Sequence, residues 1–304
     1  MQRIPYDEFS FFRDNAEEFA LPWRGPPKVE RRSVRLDDGR AMSALVWGSG
    51  LPQLALLHGG AQNAHTWDTV ALALGQPLIA LDLPGHGHSG PGRNASVDPV
   101  GNAPDVAAVI RALAPGPVHL VGMSLGGLTS LATADAFPEL ARSVLLVDVT
   151  PGVNNTKSRM IHEFVNGPES FDNFDELLAR TIKYNPGRTE SSLRRGILHN
   201  AVQLEDGTWR WRYARLAGAG QGRVDFSPLW EAVSRLKAPL CLARGLRPQS
   251  VVDDADEAEI RRRQPGARIE HFPEAGHSLQ GDTPRELAAL IADFTGLPAS
   301  GMGV

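Results

Sequence analysis

The feature that most constrains this chain is a series of short, almost wholly apolar segments alternating with helical patterns. The segments are Ser33–Leu36, Ala41–Trp47, Gln53–Leu57, Leu78–Leu81, Val118–Val121, Val144–Val147, Leu240–Ala243 and Arg268–Phe272, each bounded by Gly, Pro or Asp. From the third onward, helical patterns intervene at Trp67–Leu74, Asp105–Leu113, Leu125–Phe137, Glu257–Arg263 and Pro284–Phe294. A strand that is apolar on both faces must be covered on both, and a helix between successive strands lets them pair in parallel. The first two segments have only a turn at Asp37-Asp38-Gly39 between them, which predicts an antiparallel hairpin. The expectation is an α/β fold, with an eight-stranded, mostly parallel sheet flanked by helices.

The alternation stops between residues 152 and 232. That segment is polar and aromatic, with helical stretches near Lys157–Val165, Asp172–Tyr184 and Glu190–His199, followed by Trp209, Trp211 and Tyr213. An insertion between two sheet strands reads as a helical cap over the carboxyl edge of the sheet. The expected organisation is a core domain formed by 1–151 and 233–304, with 152–232 as the cap (lid) domain. Within the core, residues 1–30 form an N-terminal arm. The spacing Phe12, Ala16, Phe19, Ala20 gives the arm one apolar helical face. It is read as packed on the domain, with a lid or a homodimer contact as the alternatives. The 304 residues, 42% hydrophobic, are sufficient for a core and an appended unit.

The charge balance excludes some functions. With 31 Lys and Arg against 35 Asp and Glu, no basic face is available for phosphate, so no nucleic-acid partner is expected. The short runs Glu30-Arg31-Arg32 and Arg261-Arg262-Arg263 have acidic neighbours and read as solvated faces. No apolar stretch approaches the roughly 18 residues of a membrane span, and the first residues lack the apolar segment of a signal peptide. The protein is expected to be cytoplasmic. Cys241 is the single cysteine, so an internal disulfide is excluded; its apolar surroundings predict a buried, inert thiol.

The chemistry concentrates at three places. Gly122-Met123-Ser124-Leu125-Gly126-Gly127 follows a strand and opens a helix, the context in which Gly-x-Ser-x-Gly forms a nucleophile elbow. Ser124 is the expected nucleophile. Acyl transfer places negative charge on a carbonyl oxygen, which preorganised N–H groups must meet. Leu125, at the helix start, and Gly60, in Leu56-Leu57-His58-Gly59-Gly60-Ala61, are the expected oxyanion donors, with Ala61 the alternative to Gly60. Gly276-His277-Ser278 follows the last strand, where the chain order of nucleophile, acid and base puts the general base, His277. His58 lies within a strand-end turn and is given a structural role.

Taken in order, His58-Gly59-Gly60, Asp82-Leu83-Pro84-Gly85-His86-Gly87-His88-Ser89, Gly122-Met123-Ser124-Leu125-Gly126 and Gly276-His277 resemble the landmarks of the α/β-hydrolase fold family, over residues 30–150 and 236–295. The resemblance implies a serine hydrolase, with Asp82–Ser89 as a fold marker and His86 and His88 structural. The chain departs from the family at the acid. After the seventh strand, Arg244-Gly245-Leu246-Arg247-Pro248-Gln249-Ser250 has no carboxylate where most members carry one. Asp148, ending the sixth strand, is the preferred candidate, since some relatives resemble this arrangement. Asp253 and then Asp254 are the alternatives, although both read as the first turn of a helix.

For substrate contact the candidates are Met123 and Ala61 beside the nucleophile, Trp211 from the cap, and one of Gln62, Asn63, His65 and Trp67. Core packing is the competing use of the Trp209 and Trp211 face. The expected reaction is hydrolysis of a medium-sized, largely apolar ester, lactone, thioester or similar acyl bond through an acyl-enzyme, with no cofactor and no metal. A carbon–carbon hydrolase of a diketone shares the same residues. A ligand-binding protein without turnover is the reading from another class, supported by the missing carboxylate and opposed by Asp148. Dehalogenation and epoxide opening are disfavoured, because those relatives carry Asp where this chain has Ser124.

Overall fold

The computed structural model describes residues 3–93, 98–114, 116–154, 156–214 and 225–302. The first part of the chain runs α1 (Phe12–Glu18), β1 (Val29–Arg35), β2 (Ala41–Trp47), β3 (Leu54–Leu57), α2 (Asp68–Leu74), β4 (Leu78–Asp82), α3 (Pro99–Leu113), β5 (Val118–Met123), α4 (Leu125–Ala136) and β6 (Ala141–Val147). The insertion follows with α5 (Arg159–Val165), β7 (Ser170–Phe171), α6 (Phe174–Tyr184), α7 (Glu190–Asn200), β8 (Ala201–Gln203) and β9 (Trp209–Trp211). The chain closes with α8 (Leu229–Arg235), β10 (Leu240–Gly245), α9 (Asp254–Arg263), β11 (Arg268–Phe272), α10 (Leu279–Asp282) and α11 (Pro284–Thr295).

Eight strands form one sheet in the order β1-β2-β4-β3-β5-β6-β10-β11. Only β2 runs antiparallel to its neighbours, so the sheet is mostly parallel, as expected. Alternation along the strands explains why the segments read as continuously apolar. Leu54 and Leu56 of β3 join the core on one face with α1, α2 and α11, while Ala55 and Leu57 join the core on the other face with α3, α4 and α8. Both faces of this central strand are buried, and its period-2 pattern has no polar phase to show. Cys241 is buried in the same way, and burial pushes its thiol up to about 12.

Strand order also fixes where a site can form. β3 lies between β4 and β5, so the chain leaves β3 to one side and returns on the other. The loops after β3 and β5 therefore diverge and open a crevice at their carboxyl ends. Gly59–Ala61 follow β3 and Ser124 follows β5, which places both at this crevice.

The insertion builds a small core of its own from Phe171, Phe174, Leu177, Leu178, Leu193, Ile197, Ala201 and Trp209. It contains an antiparallel sheet in the order β7-β9-β8, where the sequence indicated a helical cap. These strands have only two or three residues, too few for a period to register. Trp209 packs on Phe174 with ring centres 5.1 Å apart, and Trp211 meets Phe171 at 5.9 Å. Helix α8 straddles the boundary expected at 232 and packs through Leu229, Ala232 and Val233 into the main core. Residues 155 and 215–224 of the insertion lie outside the described part.

The N-terminal arm packs on the core, as its apolar face suggested. Phe12 meets Trp47 with ring centres 5.0 Å apart. A buried polar network fastens the arm further. Glu8 accepts from Arg31 and meets His65 Nε2 at 3.0 Å; His65 Nδ1 meets Asp68 Oδ2 at 2.9 Å. Tyr6 OH lies 2.8 Å from Nδ1 of His199, on α7. One network thus joins arm, core and insertion. Burial opposes charge on His65, but Asp68 and Glu8 outweigh it and lift the imidazole to about 9. Burial likewise opposes charge on Glu8, but hydrogen bonds from His65 and Arg31 outweigh it and hold the carboxyl down at about 2.

Two outcomes follow. The His65 contribution is complete below its ordinary value of 6.5 and is lost as pH rises through about 9. The Glu8 contribution is complete above 4.5 and is lost as pH falls through about 2. Limited proteolysis of the arm should therefore accelerate between pH 6.5 and 9. His65→Gln should flatten that rise; an unchanged profile in the variant would assign the effect to another group. The second outcome concerns packing at the β5–α4 turn. A Cβ on Gly126 would lie 2.1 Å from Leu57 O, whereas one on Gly60 would meet nothing within 4 Å. Gly126→Ala should cost at least about 1–3 kcal/mol, read as a lowered Tm, while Gly60→Ala should leave Tm nearly unchanged.

Candidate active site

At the end of β5 the chain must turn sharply into α4. Ser124 sits at that turn with φ 51° and ψ −118°, a left-handed conformation that costs a non-glycine residue about 1–3 kcal/mol. Three glycines make the turn sterically possible. A Cβ on Gly122 would lie 2.2 Å from Gly126 O, and one on Gly127 would lie 2.4 Å from Val149 Cγ1. With Gly126 against Leu57, helix and strand pack closer than side chains would allow. Ser124 is the partly exposed residue in an otherwise buried stretch.

Asp148 ends β6, also at positive φ (47°), and is fully buried. Four donors surround its carboxylate. Oδ1 accepts from Gly245 N at 2.9 Å and from Ser250 Oγ at 2.6 Å. Oδ2 accepts from Val251 N at 3.0 Å and pairs with His277 Nδ1 at 2.9 Å. The His277 loop reaches this position by crossing the end of β10. A Cβ on Gly245 would lie 2.2 Å from Gly276 O, so a side chain there would block the crossing. His277 Nε2 is buried and has no hydrogen-bond partner among the described residues. With Nδ1 engaged by Asp148, Nε2 is the ring nitrogen left to exchange a proton.

Asp253 and Asp254 do other work. Asp253 caps α9 in a capping box with Asp256 and pairs with Lys157 at 2.8 Å. Asp254 is exposed and pairs with Arg244. Sequence reading did not identify Ser250 or the Gly245 and Val251 amides as partners of Asp148, because backbone donors have no residue signature.

The loop after β3 is held from three sides. Gly59 N donates to Gln62 Oε1 at 3.0 Å, Ala61 N to His86 Nε2 at 3.2 Å, and Asn200 Nδ2 to Ala61 O at 2.6 Å. Ala61 thus has its amide occupied, whereas none of the described groups bonds to the Gly60 N–H. Leu125 N, first in α4, likewise has no acceptor within its helix. His58 is buried, and its Nε2 accepts from Leu83 N at 2.9 Å; burial and then the nearby His86 depress it to about 3, keeping it neutral. Met123 is buried beneath the loop, where its Sδ would lie 2.4 Å from a Cβ on Gly59.

A cavity of about 210 Å³ lies between core, arm and insertion. Gln62, Asn63, His65 and Trp211 are in its wall, but Ser124 and His277 are not. Gln62 belongs to the loop carrying Gly60, and Gln280, in α10 three residues after His277, is in the wall as well. Trp67 is fully buried in the core instead of lining the cavity. His65, Asp68 and His199 each offer a ligand atom within 4.8 Å of the others. The two imidazoles, however, stack 3.8 Å apart at 11°. A metal lies in the plane of each ligating ring, and two stacked planes share no such point.

Comparison with known proteins agrees with this architecture. The model of the alpha/beta hydrolase family matches residues 54–290. The esterase Rv0045c of Mycobacterium tuberculosis is 42% identical over 293 residues, covering 94% of each chain. A refined structure of that esterase superposes with a TM-score of 0.84 at 39% identity, covering 96% of this chain and all of the other. The 2-(acetamidomethylene)succinate hydrolase of Mesorhizobium japonicum is 28% identical over 86% of this chain and 94% of its own. With its sheet order, its β5–α4 turn and a family match spanning most of its length, the chain belongs to the alpha/beta hydrolase family.

Proposed function

We propose that this protein is a carboxylic ester hydrolase in which Ser124, His277 and Asp148 act together. The observation that carries the proposal is the Asp148–His277 contact of 2.9 Å at the sheet edge where Ser124 sits in its left-handed turn. The 42% identity to an esterase supports the reaction class.

In the proposed reaction Ser124 Oγ attacks the ester carbonyl and its proton passes to His277 Nε2. Negative charge collects on the carbonyl oxygen, facing the N–H groups of Gly60 and Leu125. The helix N-terminus at Leu125 adds a favourable dipole. Collapse expels the alcohol, which takes the proton from His277. Water then attacks the acyl-enzyme, with His277 as base, and releases the acid. Asp148 holds the Nδ1 proton so that Nε2 faces the nucleophile, and balances the imidazolium formed in both halves. Residues 152–232 act as the cap, since α6 and α7 wall the cavity beside the reaction centre. Among the described residues no helix is long and apolar enough to cross a membrane. A cytoplasmic location fits a chain whose single cysteine is buried and free.

Ser124→Ala should abolish both ester hydrolysis and fluorophosphonate labelling, with circular dichroism unchanged; labelling that persists would sink the assignment. Asp148→Asn should lower kcat on the order of 10,000-fold, because the amide favours the wrong imidazole tautomer. Asp253→Asn should leave kcat near its starting value, since Asn caps a helix about as well as Asp. Rates measured side by side on one ester decide between the two carboxylates.

A further inference from the structure

The cavity between core, arm and insertion holds a cation that no carboxylate among the described residues pairs with directly. Arg188 lies in the turn between α6 and α7, partly buried, with its side chain directed at the core. Its Nη2 donates to Ser192 Oγ at 2.5 Å. Its Nη1 sits where a Cβ on Gly281 would be, only 1.9 Å away, so the glycine makes room for the guanidinium. Among the described residues no carboxylate forms an ion pair with it. The acids nearby are occupied. Glu18 pairs with Arg195, and Asp282 Oδ2 accepts from Gly276 N at 3.0 Å. Both act on Arg188 only at longer range, and Arg195 opposes them.

An arginine cannot shed its charge, so withdrawing it from water without a counter-ion is costly. The surrounding wall is suited to a polar group. Gln62, Thr66, Asn185 and Ser192 share the cavity with Arg188, and Phe164 and Trp211 provide an apolar side. The cavity is also adjacent to the reaction centre. Gln62 comes two residues after Gly60, and Gly281 four residues after His277, so both catalytic loops run directly into its wall.

Resting on the ester hydrolase reading, we propose that Arg188 binds a carboxylate of the substrate, which is then an ester carrying a second, anionic group a few bonds from the scissile carbonyl. A planar guanidinium presents paired donors that match a carboxylate. The sequence had suggested a largely apolar ester; the cation in the wall points instead to an amphipathic, acidic one.

Three esters test this: neutral 4-nitrophenyl butyrate, the 4-nitrophenyl hemiester of glutaric acid, and the butyrate ester of 4-hydroxybenzoate. The last two carry the anion on the acyl and the alcohol side respectively. For the wild-type enzyme kcat/KM should favour at least one anionic ester over the neutral one. In Arg188→Gln that ratio should fall by about 30-fold or more, and Arg188→Lys should restore part of it. A ratio that does not favour an anionic ester, or one unmoved by Arg188→Gln, overturns the proposal. Calorimetry with glutarate measures the site without turnover. Binding at least about tenfold weaker in Arg188→Gln than in wild type supports the site, and equal or absent binding overturns it. A wild-type enzyme that binds glutarate but hydrolyses none of the esters would refute the hydrolase reading while leaving the anion site standing.

Discussion

The structure depends on how closely β5 and α4 approach each other. A Cβ on Gly122 would lie 2.2 Å from Gly126 O, one on Gly126 2.1 Å from Leu57 O and one on Gly127 2.4 Å from Val149 Cγ1, so only glycines allow the helix to start this close to the strands. Two consequences follow from this one packing constraint. Ser124 is forced into a left-handed turn that lifts it out of an otherwise buried segment. The first amides of α4 are left without intrahelical acceptors at the crevice between the loops after β3 and β5.

A second constraint concerns buried charge. A carboxylate at the end of so apolar a strand as β6 requires compensation. Asp148 receives it from two backbone amides, one hydroxyl and one imidazole, drawn from segments about 100 or more residues further along the chain. The absence of a side chain at Gly245 allows two of these segments to meet at the carboxylate. In the proposed reading the acid ends β6, the strand beside β10, and the end of β10 and the loop after it supply donors to that carboxylate.

The arm and the insertion contribute at longer range. Glu8 and Tyr6 of the arm, His65 and Asp68 of the core and His199 of α7 form one buried network, and the adjacent Asn200 bonds to Ala61 O. Polar contacts are stronger in a low-dielectric interior than in water, so those that are made, Tyr6–His199, Glu8–His65 and His65–Asp68, hold the three parts together. The loop that holds Gly60 is consequently tied to the insertion as well as to the sheet.

The sequence by itself determined the sheet, the elbow and the identity of the groups at the crevice. Those features are local: apolar runs, glycine spacing and a serine between a strand and a helix depend on residues close together in the chain. It also read Asp253 as part of a helix start, and Asp253 caps α9. Tertiary structure decided the rest. That Asp148 meets His277 is a contact across 129 residues, made possible by a glycine on a third strand. The short strands of the insertion take their form from pairing, having too few residues for a pattern. Arg188 looked like one charge among 31 cationic residues, and only the fold showed it withdrawn from carboxylates and turned toward a cavity. Side-chain chemistry can be read along a chain; what neutralises a buried charge depends on which distant segments fold around it.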